Sequence, residues 1–299
     1  VPKLAMAATQ HIISPASAIR LTLIGPSGSG KTTMARALAA ATNRPFVEFS
    51  MTDMVQTGWQ GHQLSDLISD SLMQQASALH RAGKGEINEL MGEAVLFIDE
   101  ADKAAFAGMD PTSRSHYIGK QQTILGLLGS NGRVIAGSHS LSTNCMMVIS
   151  GGVFAGMRKT TNPSPADIEA LGFLHEQVER MGIIHVIDPI SGEALKDVLR
   201  SGLAANIATA RAFGYHLEIT DQALSYTANA VRNGVAGPRS GVSWLRSAAD
   251  NCLGRVLAAD APEGTRITVS PDDLCLPDSK EAGQHGRPPV EGDDPTVFP

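Results

Sequence analysis

The sequence predicts an α/β protein whose parallel sheet carries helices on both faces, followed by a second, small and mostly helical domain. Three observations support this fold class. Strand-like apolar runs alternate with helical stretches between residues 20 and 190, the rhythm of repeated strand-helix-strand units. After Pro189 the pattern changes to consecutive helical segments. A glycine-rich stretch between the first strand and the first helix is typical of a ligand-binding turn at the strand carboxyl ends.

The predicted elements follow from short apolar runs and from helical periodicity. The strand-like runs cover residues 21–24, 46–49, 95–98, 146–149 and 184–187. Beyond Pro189 we expect helices near 191–213, 220–233 and 240–259 and a strand over Arg266–Val269. The resulting division is an N-terminal extension (1–19), an α/β domain (20–189), a small helical domain (190–277) and a disordered tail (278–299) that is rich in Pro, Gly and acidic residues.

Composition and charge limit the classes of partner and the cellular compartment that we expect for this protein. The net charge is −6 and the 24 basic residues form no dense run, which argues against nucleic acid as the main partner. No stretch approaches the ~18 consecutive apolar residues of a membrane span, so we expect no membrane association. The first strand follows the N-terminus too closely for a signal peptide of ~15–30 residues. Three widely spaced cysteines suit free thiols. We therefore expect a cytoplasmic protein.

Residues 25–32 carry the first chemical motif. They read Gly-Pro-Ser-Gly-Ser-Gly-Lys-Thr and fit the phosphate-binding pattern GxxxxGK[ST]. The glycines let backbone N–H groups curve around an anion, and the following helix adds its N-terminal dipole. Lys31 is predicted to reach the β- and γ-phosphates, and Thr32 to bind Mg²⁺. The predicted nucleotide contacts are Gly25, Pro26, Ser27, Gly28, Ser29, Gly30, Lys31, Thr32 and Thr33. A chance glycine-rich turn is the alternative, but both required flanks are present.

The second motif ends the apolar run Val95–Ile98, which has the character of a strand buried on both faces. Asp99 and Glu100 follow it directly. At the carboxyl end of a central strand, Asp99 can hold Mg²⁺ through water and Glu100 can polarise a hydrolytic water. The alternative is a surface carboxylate pair that caps the next helix. The two motifs together predict binding of ATP and Mg²⁺ and hydrolysis of the nucleotide.

With both motifs placed, residues 20–275 resemble the ClpX/HslU-type branch of the AAA+ ATPases. Residues 95–103 (VLFIDEADK) resemble the IDE-x-DK signature of that branch. Residues 150–157 (SGGVFAGM) resemble its GGAFAGL segment after the fourth core strand. The resemblance implies a P-loop AAA+ domain followed by a sensor-2 domain. It also implies a homo-oligomeric ring, a hexamer, that hydrolyses ATP.

The tetrapeptide Gly58, Trp59, Gln60 and Gly61 stands where this branch carries Gly-Tyr-Val-Gly in its central pore. The resemblance implies a pore loop that contacts the substrate. A bulky aromatic on a glycine-hinged loop can grip an extended polypeptide regardless of its sequence, and loop movement would pull it. Gln60 departs from the valine of the branch. The alternative is a tryptophan packed in the core or at a subunit contact.

Further candidates come from the resemblance alone. Residues 167–180 resemble the branch's segment ending in Ile-Gly-Arg, so Arg180 is the candidate arginine finger toward a neighbouring subunit. Arg239 matches the Gly-x-Arg that opens the sensor-2 helix, with Arg246 as second choice. Ser150, read as closing the fourth strand, is the candidate for sensor 1. The alternatives are surface arginines at helix ends and a hydroxyl bonded to the backbone.

Departures from the branch shape the expected function. The sequence lacks the Cys-rich zinc-binding N-terminal domain, and between Phe154 and Gly172 there is no room for a peptidase-docking loop. We therefore expect a motor that threads or remodels protein substrates, with or without an adaptor and without a peptidase partner. A nucleic-acid motor or loader and a nucleotide-switched scaffold are the alternatives. Residues 109–120 are expected to form a turn-rich surface loop or a second pore loop.

Overall fold

The structure is a computed structural model that describes residues 19–53, 64–128, 133–136, 139–157, 160–190, 192–233, 235 and 237–275. Its contacts divide the chain into two compact units, with the division between Pro189 and Ile190. Among the described helices, none combines the length and the apolar character that crossing a bilayer requires.

The first unit alternates strands and helices along the chain. Its elements are β1 (Ile19–Ile24), α1 (Lys31–Ala41), β2 (Phe46–Ser50), α2 (Leu64–Arg81), α3 (Ile87–Gly92), β3 (Val95–Asp99), α4 (Pro111–Leu128), β4 (Arg133–Ala136), β5 (His139–Ser142), β6 (Met147–Gly152), α5 (Pro165–Glu169), α6 (His175–Arg180) and β7 (Ile183–Val186). Short 3₁₀ turns cover Ala101–Ala104 and Thr143–Cys145. The antiparallel hairpin of β4 and β5 was not predicted.

Five parallel strands form the central sheet in the order β2-β3-β6-β1-β7. The predicted α/β class with a parallel sheet is confirmed. Because β6 lies between β1 and β3, Ser150 is in register with Thr22 on one side and with Ile98 on the other. The carboxyl ends of parallel strands share one edge of a sheet. The loops after β1, β3 and β6 therefore leave the sheet at the same edge.

Helices cover both faces of the sheet, which explains the uninterrupted apolar runs. On one face α1 packs Ala35 and Leu38 against strand residues such as Leu23. On the other face a larger cluster joins Ile68 of α2 and Ile124 of α4 to the sheet. Val95, Leu96, Phe97 and Ile98 of β3 are all fully buried. A strand enclosed on both sides needs apolar residues at consecutive positions.

Arg20 is a half-buried cation that fastens β1 to its surroundings. Its guanidinium donates to the carbonyl oxygens of Met146 (3.0 Å), Leu127 (3.2 Å) and Thr143 (3.3 Å). Burial lowers the pKa of Arg20 to about 10. The contact with Leu127 places positive charge at the carboxyl end of α4, where the helix dipole is negative.

The prediction of a turn-rich loop over residues 109–120 is wrong, because α4 begins at Pro111. Asp110 caps this helix, with its Oδ1 accepting hydrogen bonds from the N–H groups of Thr112 (3.0 Å) and Ser113 (3.1 Å). Hydrogen bonds from Ser113 and Thr112 lower the pKa of Asp110. An Asp-Pro pair at a helix start is a recognised capping signal, and the polar residues after it obscured the signal.

The second unit contains α7 (Gly192–Ser201), α8 (Ala204–Ala212), β8 (His216–Ile219), α9 (Asp221–Arg232), α10 (Pro238–Ala258), β9 (Arg266–Val269) and a short 3₁₀ turn (Pro271–Asp273). Leu195, Leu199, Leu245 and Val269 are among its core residues. The stretch predicted as one helix is two, separated near Gly202, where a Cβ would come within 2.6 Å of the Val242 side chain. The predicted strand Arg266–Val269 is present and pairs in parallel with β8, which was not predicted.

Candidate nucleotide site

The loop after β1 owes its path to its glycines. The N–H of Gly25 donates to the Gly152 carbonyl oxygen (3.1 Å), which ties the loop to the end of β6. A Cβ on Gly25 would come within 2.9 Å of the Ile187 carbonyl oxygen. Gly28 and Gly30 have φ angles of 76° and 87°, in the left-handed region that strains other residues. A side chain at any of these three positions would therefore clash with a neighbour or strain the backbone.

Lys31 is the first residue of α1 and is only 8% exposed. Its ammonium turns back across the loop, where Nζ donates to the carbonyl oxygens of Gly25 (2.8 Å) and Pro26 (2.9 Å). The Ser29 hydroxyl lies 3.5 Å from the same nitrogen. The positive charge is therefore held inside the turn of the loop, at the start of a helix.

The start of α1 also favours an anion. Gly30 is its N-cap residue and offers no side-chain cap, and the first turn contains no acidic residue. The N–H groups of a helix start that no side chain caps, together with the helix dipole, attract negative charge. Thr32 is half-buried and Thr33 is exposed in this first turn. This donor set fits the phosphate groups of a nucleotide.

Asp99 and Glu100 lie where β3 leaves the sheet. Glu100 has φ 52° and ψ 35°, a left-handed conformation that costs a non-glycine residue on the order of 1–2 kcal/mol. The N–H of Glu100 donates to Asp99 Oδ1 (2.9 Å). Glu100 is exposed, and its Oε2 accepts hydrogen bonds from the hydroxyls of Ser50 (3.0 Å) and Thr52 (3.1 Å). We call these three side chains the hydroxyl clasp.

The hydroxyl clasp was missed in the sequence because its parts are far apart in the chain. Ser50 ends β2 and is in register with Asp99 of β3. The two hydroxyl oxygens lie 2.7 Å apart, so a hydroxyl proton that is not directed at Glu100 can bond the other hydroxyl instead. Once the order of the strands is known, polar residues at the end of the neighbouring strand are the signal that would have found them.

The prediction that Ser150 ends the fourth core strand is wrong. β6 continues to Gly152, so Ser150 lies within the strand. Ser150 is 6% exposed and alternates with Ile149, which faces α1. Its hydroxyl therefore shares the opposite face with Val148. A Cβ on Gly151 would come within 2.7 Å of the Phe97 ring, and one on Gly152 within 2.8 Å of the Phe154 ring. Close packing thus explains the first two of the three glycines in the SGGVFAGM segment, and the third, Gly156, has a left-handed φ of 90°.

Arg180 ends α6 and is held by partners from its own chain. Its Nη2 bonds Glu176 Oε1 (2.6 Å), and its Nη1 donates to the Leu125 carbonyl oxygen of α4 (3.4 Å). The side chain is 39% exposed. At the other end of α6, His175 Nδ1 lies 2.7 Å from Glu169 Oε1, and this hydrogen bond raises the pKa of His175. Among the described residues, the hydrogen bonds of Arg180 go to α6 and α4 and not to the loop of residues 25–32, which we call the phosphate loop.

Comparison with known proteins agrees with this geometry. Residues 21–130 match the ATPase family associated with various cellular activities (AAA). The chain is 28% identical over 235 residues to ATP-dependent Clp protease ATP-binding subunit ClpX 2 of Wolinella succinogenes, which is 68% of this chain and 57% of that protein. The first unit contains a ClpX-like AAA+ domain.

Other relatives give the same result at lower coverage. The ClpX subunit of Borrelia duttonii is 26% identical over 147 residues, 45% of this chain and 32% of that protein. The ClpX subunit of Bacteroides fragilis is 24% identical over 216 residues, 59% of this chain and 50% of that protein. The chain spans about half the length of the curated relatives it matches. An AAA+ domain implies nucleotide binding, and the phosphate loop and β3 both lie inside the matched range.

Arg239 lies outside the range that matches the AAA family, whereas the predicted pore loop lies within it. Arg239 is the exposed second residue of α10, after Gly237 as N-cap and Pro238. It makes no hydrogen bond or ion pair within the described part of the chain, whereas Arg246 donates to the Gly202 carbonyl oxygen (2.8 Å) inside the second unit. Arg239 is therefore the more available of the two arginines. The predicted pore loop, Gly58 to Gly61, lies outside the described residues.

Proposed function

We propose that this protein hydrolyses ATP as a homo-oligomeric ring, a hexamer, and uses the energy to thread or remodel protein substrates. The observation that carries the proposal is the arrangement at one sheet edge. Lys31 lies inside the phosphate loop after β1, and Glu100 is clasped by two hydroxyls after β3. A cation for phosphates and an oriented carboxylate for water are the two groups that hydrolysis of a nucleotide requires.

Each side chain then has a role in the nucleotide site. Bound Mg-ATP supplies the γ-phosphoryl group that is transferred to water. Lys31 and the loop N–H groups would hold the phosphates, and the oxygens of Thr32 and Asp99 would hold Mg²⁺. Glu100 would polarise the attacking water. Ser150 would sense the nucleotide from β6, although its hydroxyl lies on the sheet face opposite to α1.

Arg180 would complete the site from a neighbouring subunit. Two features support this role: the guanidinium is partly exposed, and it sits at a helix end instead of in the phosphate loop of its own chain. A head-to-tail contact that repeats around an axis closes into a ring, so each Arg180 would serve the next subunit's site. Arg239 would report the nucleotide to the second unit. Its lack of an acidic partner within the described residues supports an anionic ligand.

We propose that the substrate on which this ATPase acts is a polypeptide. The net charge of −6 disfavours a nucleic-acid substrate, and the curated relatives are named as subunits of a Clp protease. Trp59 would grip the chain and move with the nucleotide cycle. Only 12 residues separate the end of β6 from the start of α5, from Val153 to Ser164, so we propose action without a peptidase partner. The free cysteines Cys145, Cys252 and Cys275 support a cytoplasmic location.

The test compares ATPase activity with unfolding of a stably folded fluorescent reporter. We expect unfolded protein to stimulate the ATPase and DNA to leave it unchanged. Trp59→Ala should keep ATP hydrolysis and lose reporter unfolding, whereas Trp59→Tyr should keep both because the aromatic ring remains. Lys31→Ala should lose nucleotide binding, with exposed Lys84→Ala as the control.

Two results would contradict the proposed function. Stimulation by DNA and not by unfolded protein would make the protein a nucleic-acid motor. Full reporter unfolding by Trp59→Ala would remove the threading role of that loop.

A further inference from the structure

Gln121 of α4 is a fully buried amide whose donors and acceptor are all engaged by backbone groups. Its Nε2 donates to the carbonyl oxygens of Ala104 (2.8 Å) and Gly172 (2.9 Å). Its Oε1 accepts from the N–H of Leu174 (2.8 Å). A buried amide with these contacts fixes three chain segments relative to one another, because breaking any contact leaves a polar group unpaired.

These three segments lead to two parts of the proposed catalytic machinery. Ala104 ends the 3₁₀ turn that follows Glu100. Gly172 and Leu174 lead into α6, the helix that ends at Arg180. α4 therefore lies between the segment that carries the proposed base and the helix that carries the proposed arginine finger.

The Arg180 helix depends on α4 more than the Glu100 segment does. α6 has only six residues, and its N-cap residue Leu174 provides no side-chain cap. So short a helix is not stable by itself and needs tertiary contacts. α4 supplies two of these contacts from positions one turn apart. At the start of α6, the side-chain oxygen of Gln121 accepts a hydrogen bond from the Leu174 N–H. At the end of α6, the carbonyl oxygen of Leu125 accepts a hydrogen bond from the Arg180 guanidinium.

The Glu100 segment has anchors of its own. Ser50 and Thr52 hold the Glu100 carboxylate, and Asp102 Oδ1 accepts from the Val153 N–H (3.2 Å). Loss of the Gln121 contact to Ala104 therefore leaves this segment fixed at other points. Loss of the contact to Leu174 leaves the start of α6 without its hydrogen-bond acceptor.

We propose that Gln121 is a positioning residue for Arg180, so that a buried amide of one subunit sets the geometry of the site in the next subunit. The inference rests on the proposed function, because it requires Arg180 to act in the neighbouring subunit. A misplacement of a reacting group by about 1 Å can cost on the order of 10² in rate. We therefore expect Gln121→Met to lower kcat by about 10- to 100-fold with little change in KM for ATP.

The experiment mixes subunits and measures the ATPase rate. Gln121→Met keeps its own catalytic groups and misplaces Arg180, whereas Glu100→Gln has a dead site and a correctly placed Arg180. Their mixture should exceed the summed rates of the separate variants by at least about five-fold. The mixture of Gln121→Met with Arg180→Ala should show no gain, because neither subunit supplies a working finger. The matched control is Gln122→Met, since Gln122 is the exposed neighbour on the same helix.

A second variant removes the same hydrogen bond from the other side. Leu174 has φ −65°, the angle that proline adopts, so Leu174→Pro deletes the N–H with little backbone strain. It should give the same pattern in both mixtures. Thermal unfolding and ring assembly are measured for every variant.

Four results would overturn the inference. They are a wild-type rate for Gln121→Met, a gain only with Arg180→Ala, a gain with neither partner, and failure of both variants to fold. The mixture of Glu100→Gln with Arg180→Ala separates the two levels of the proposal. If that mixture gains activity and the Gln121→Met mixture does not, only the role of Gln121 is wrong. If it gains no activity, Arg180 does not act between subunits, and the proposed roles of both Arg180 and Gln121 are wrong.

Discussion

The phosphate loop and α6 each present a cation proposed to meet the nucleotide, but the chain holds the two cations in opposite ways. Lys31 is 8% exposed and its ammonium donates to carbonyl oxygens of its own loop. Arg180 is 39% exposed, lies at a helix end and pairs with the carboxylate of Glu176. The first cation is fixed by local sequence, whereas the second is carried to the surface on a short helix.

This difference fits the proposed division of the site between two subunits. In that proposal the phosphate loop, Asp99 and Glu100 belong to one subunit. Arg180 would come from the next subunit, because within the described residues its hydrogen bonds go to α6 and α4 and not to the loop of its own chain. A guanidinium that already has a carboxylate partner must exchange that partner to reach a phosphate, so contact with a neighbour is a step that can be regulated.

The largest expected effect is on Arg180. Arg180→Ala should lower kcat for ATP hydrolysis by on the order of 10³–10⁵, because a finger stabilises charge that develops only during phosphoryl transfer. Nucleotide affinity should change little, since Lys31 and the loop remain. Steady-state ATPase assays and nucleotide titrations separate the two effects. Glu176→Gln is the control, because it removes the ion-pair partner of Arg180 and leaves the guanidinium in place, so the ATPase rate should be retained. An unchanged ATPase rate in Arg180→Ala would show that Arg180 is not the arginine finger.

Glu100→Gln should have the next largest effect, on the order of 10²–10⁴ in kcat with binding of ATP retained. The amide keeps the size of the side chain and loses the ability to take up a proton. Filter binding of labelled ATP, with single-turnover hydrolysis, measures both quantities. The exposed Glu89→Gln is the control. Hydrolysis by Glu100→Gln at the rate of the unmodified protein would show that the catalytic assignment is wrong.

The two hydroxyls of the hydroxyl clasp should contribute less than the Glu100 carboxylate that they orient. Changing Ser50→Ala and Thr52→Val together should lower kcat about tenfold at unchanged KM, because water can replace the hydroxyls at the exposed Glu100 and each lost hydrogen bond then contributes a net ~0.7 kcal/mol. Each single change should cost less, since the other hydroxyl still donates to Glu100. Thr123→Val is the control, because its hydroxyl bonds its own helix at Gly119. A larger loss in Thr123→Val than in the double variant would contradict this role.

The smallest expected effect is on stability and involves two buried glutamines, Gln177 of α6 and Gln121 of α4. Gln177 is 3% exposed, and its Oε1 has no hydrogen-bond partner within the described chain. A buried acceptor without a donor costs about 1–3 kcal/mol, so Gln177→Leu should raise the free energy of unfolding by about 1 kcal/mol. Gln121→Leu should lower it, because three backbone groups lose their partner. Urea unfolding measures both, and a loss of stability in Gln177→Leu would contradict the comparison.

The sequence predicted those parts of the molecule whose residues are neighbours in the chain. The phosphate loop and β3 depend on consecutive residues, and the structure has both elements where they were expected. Ser50 and Thr52 bond Glu100 across about 50 residues, and Gln121 bonds Gly172 across 51. Such contacts depend on which strands become neighbours, and a single sequence does not state that order. α4 was missed for another reason, since its polar first turn hides the cap at Asp110.

The most direct test of the proposed division of the site is the ATPase rate of a mixture of Glu100→Gln and Arg180→Ala subunits. Each variant alone should be inactive. In a mixed ring, an Arg180→Ala subunit with an intact Glu100 can receive the finger of a Glu100→Gln neighbour. At equal mixing about a quarter of the subunit contacts join this productive pair, so activity should recover to about that fraction of the unmodified protein. If the mixture stays as inactive as its components, Arg180 does not complete the neighbouring site.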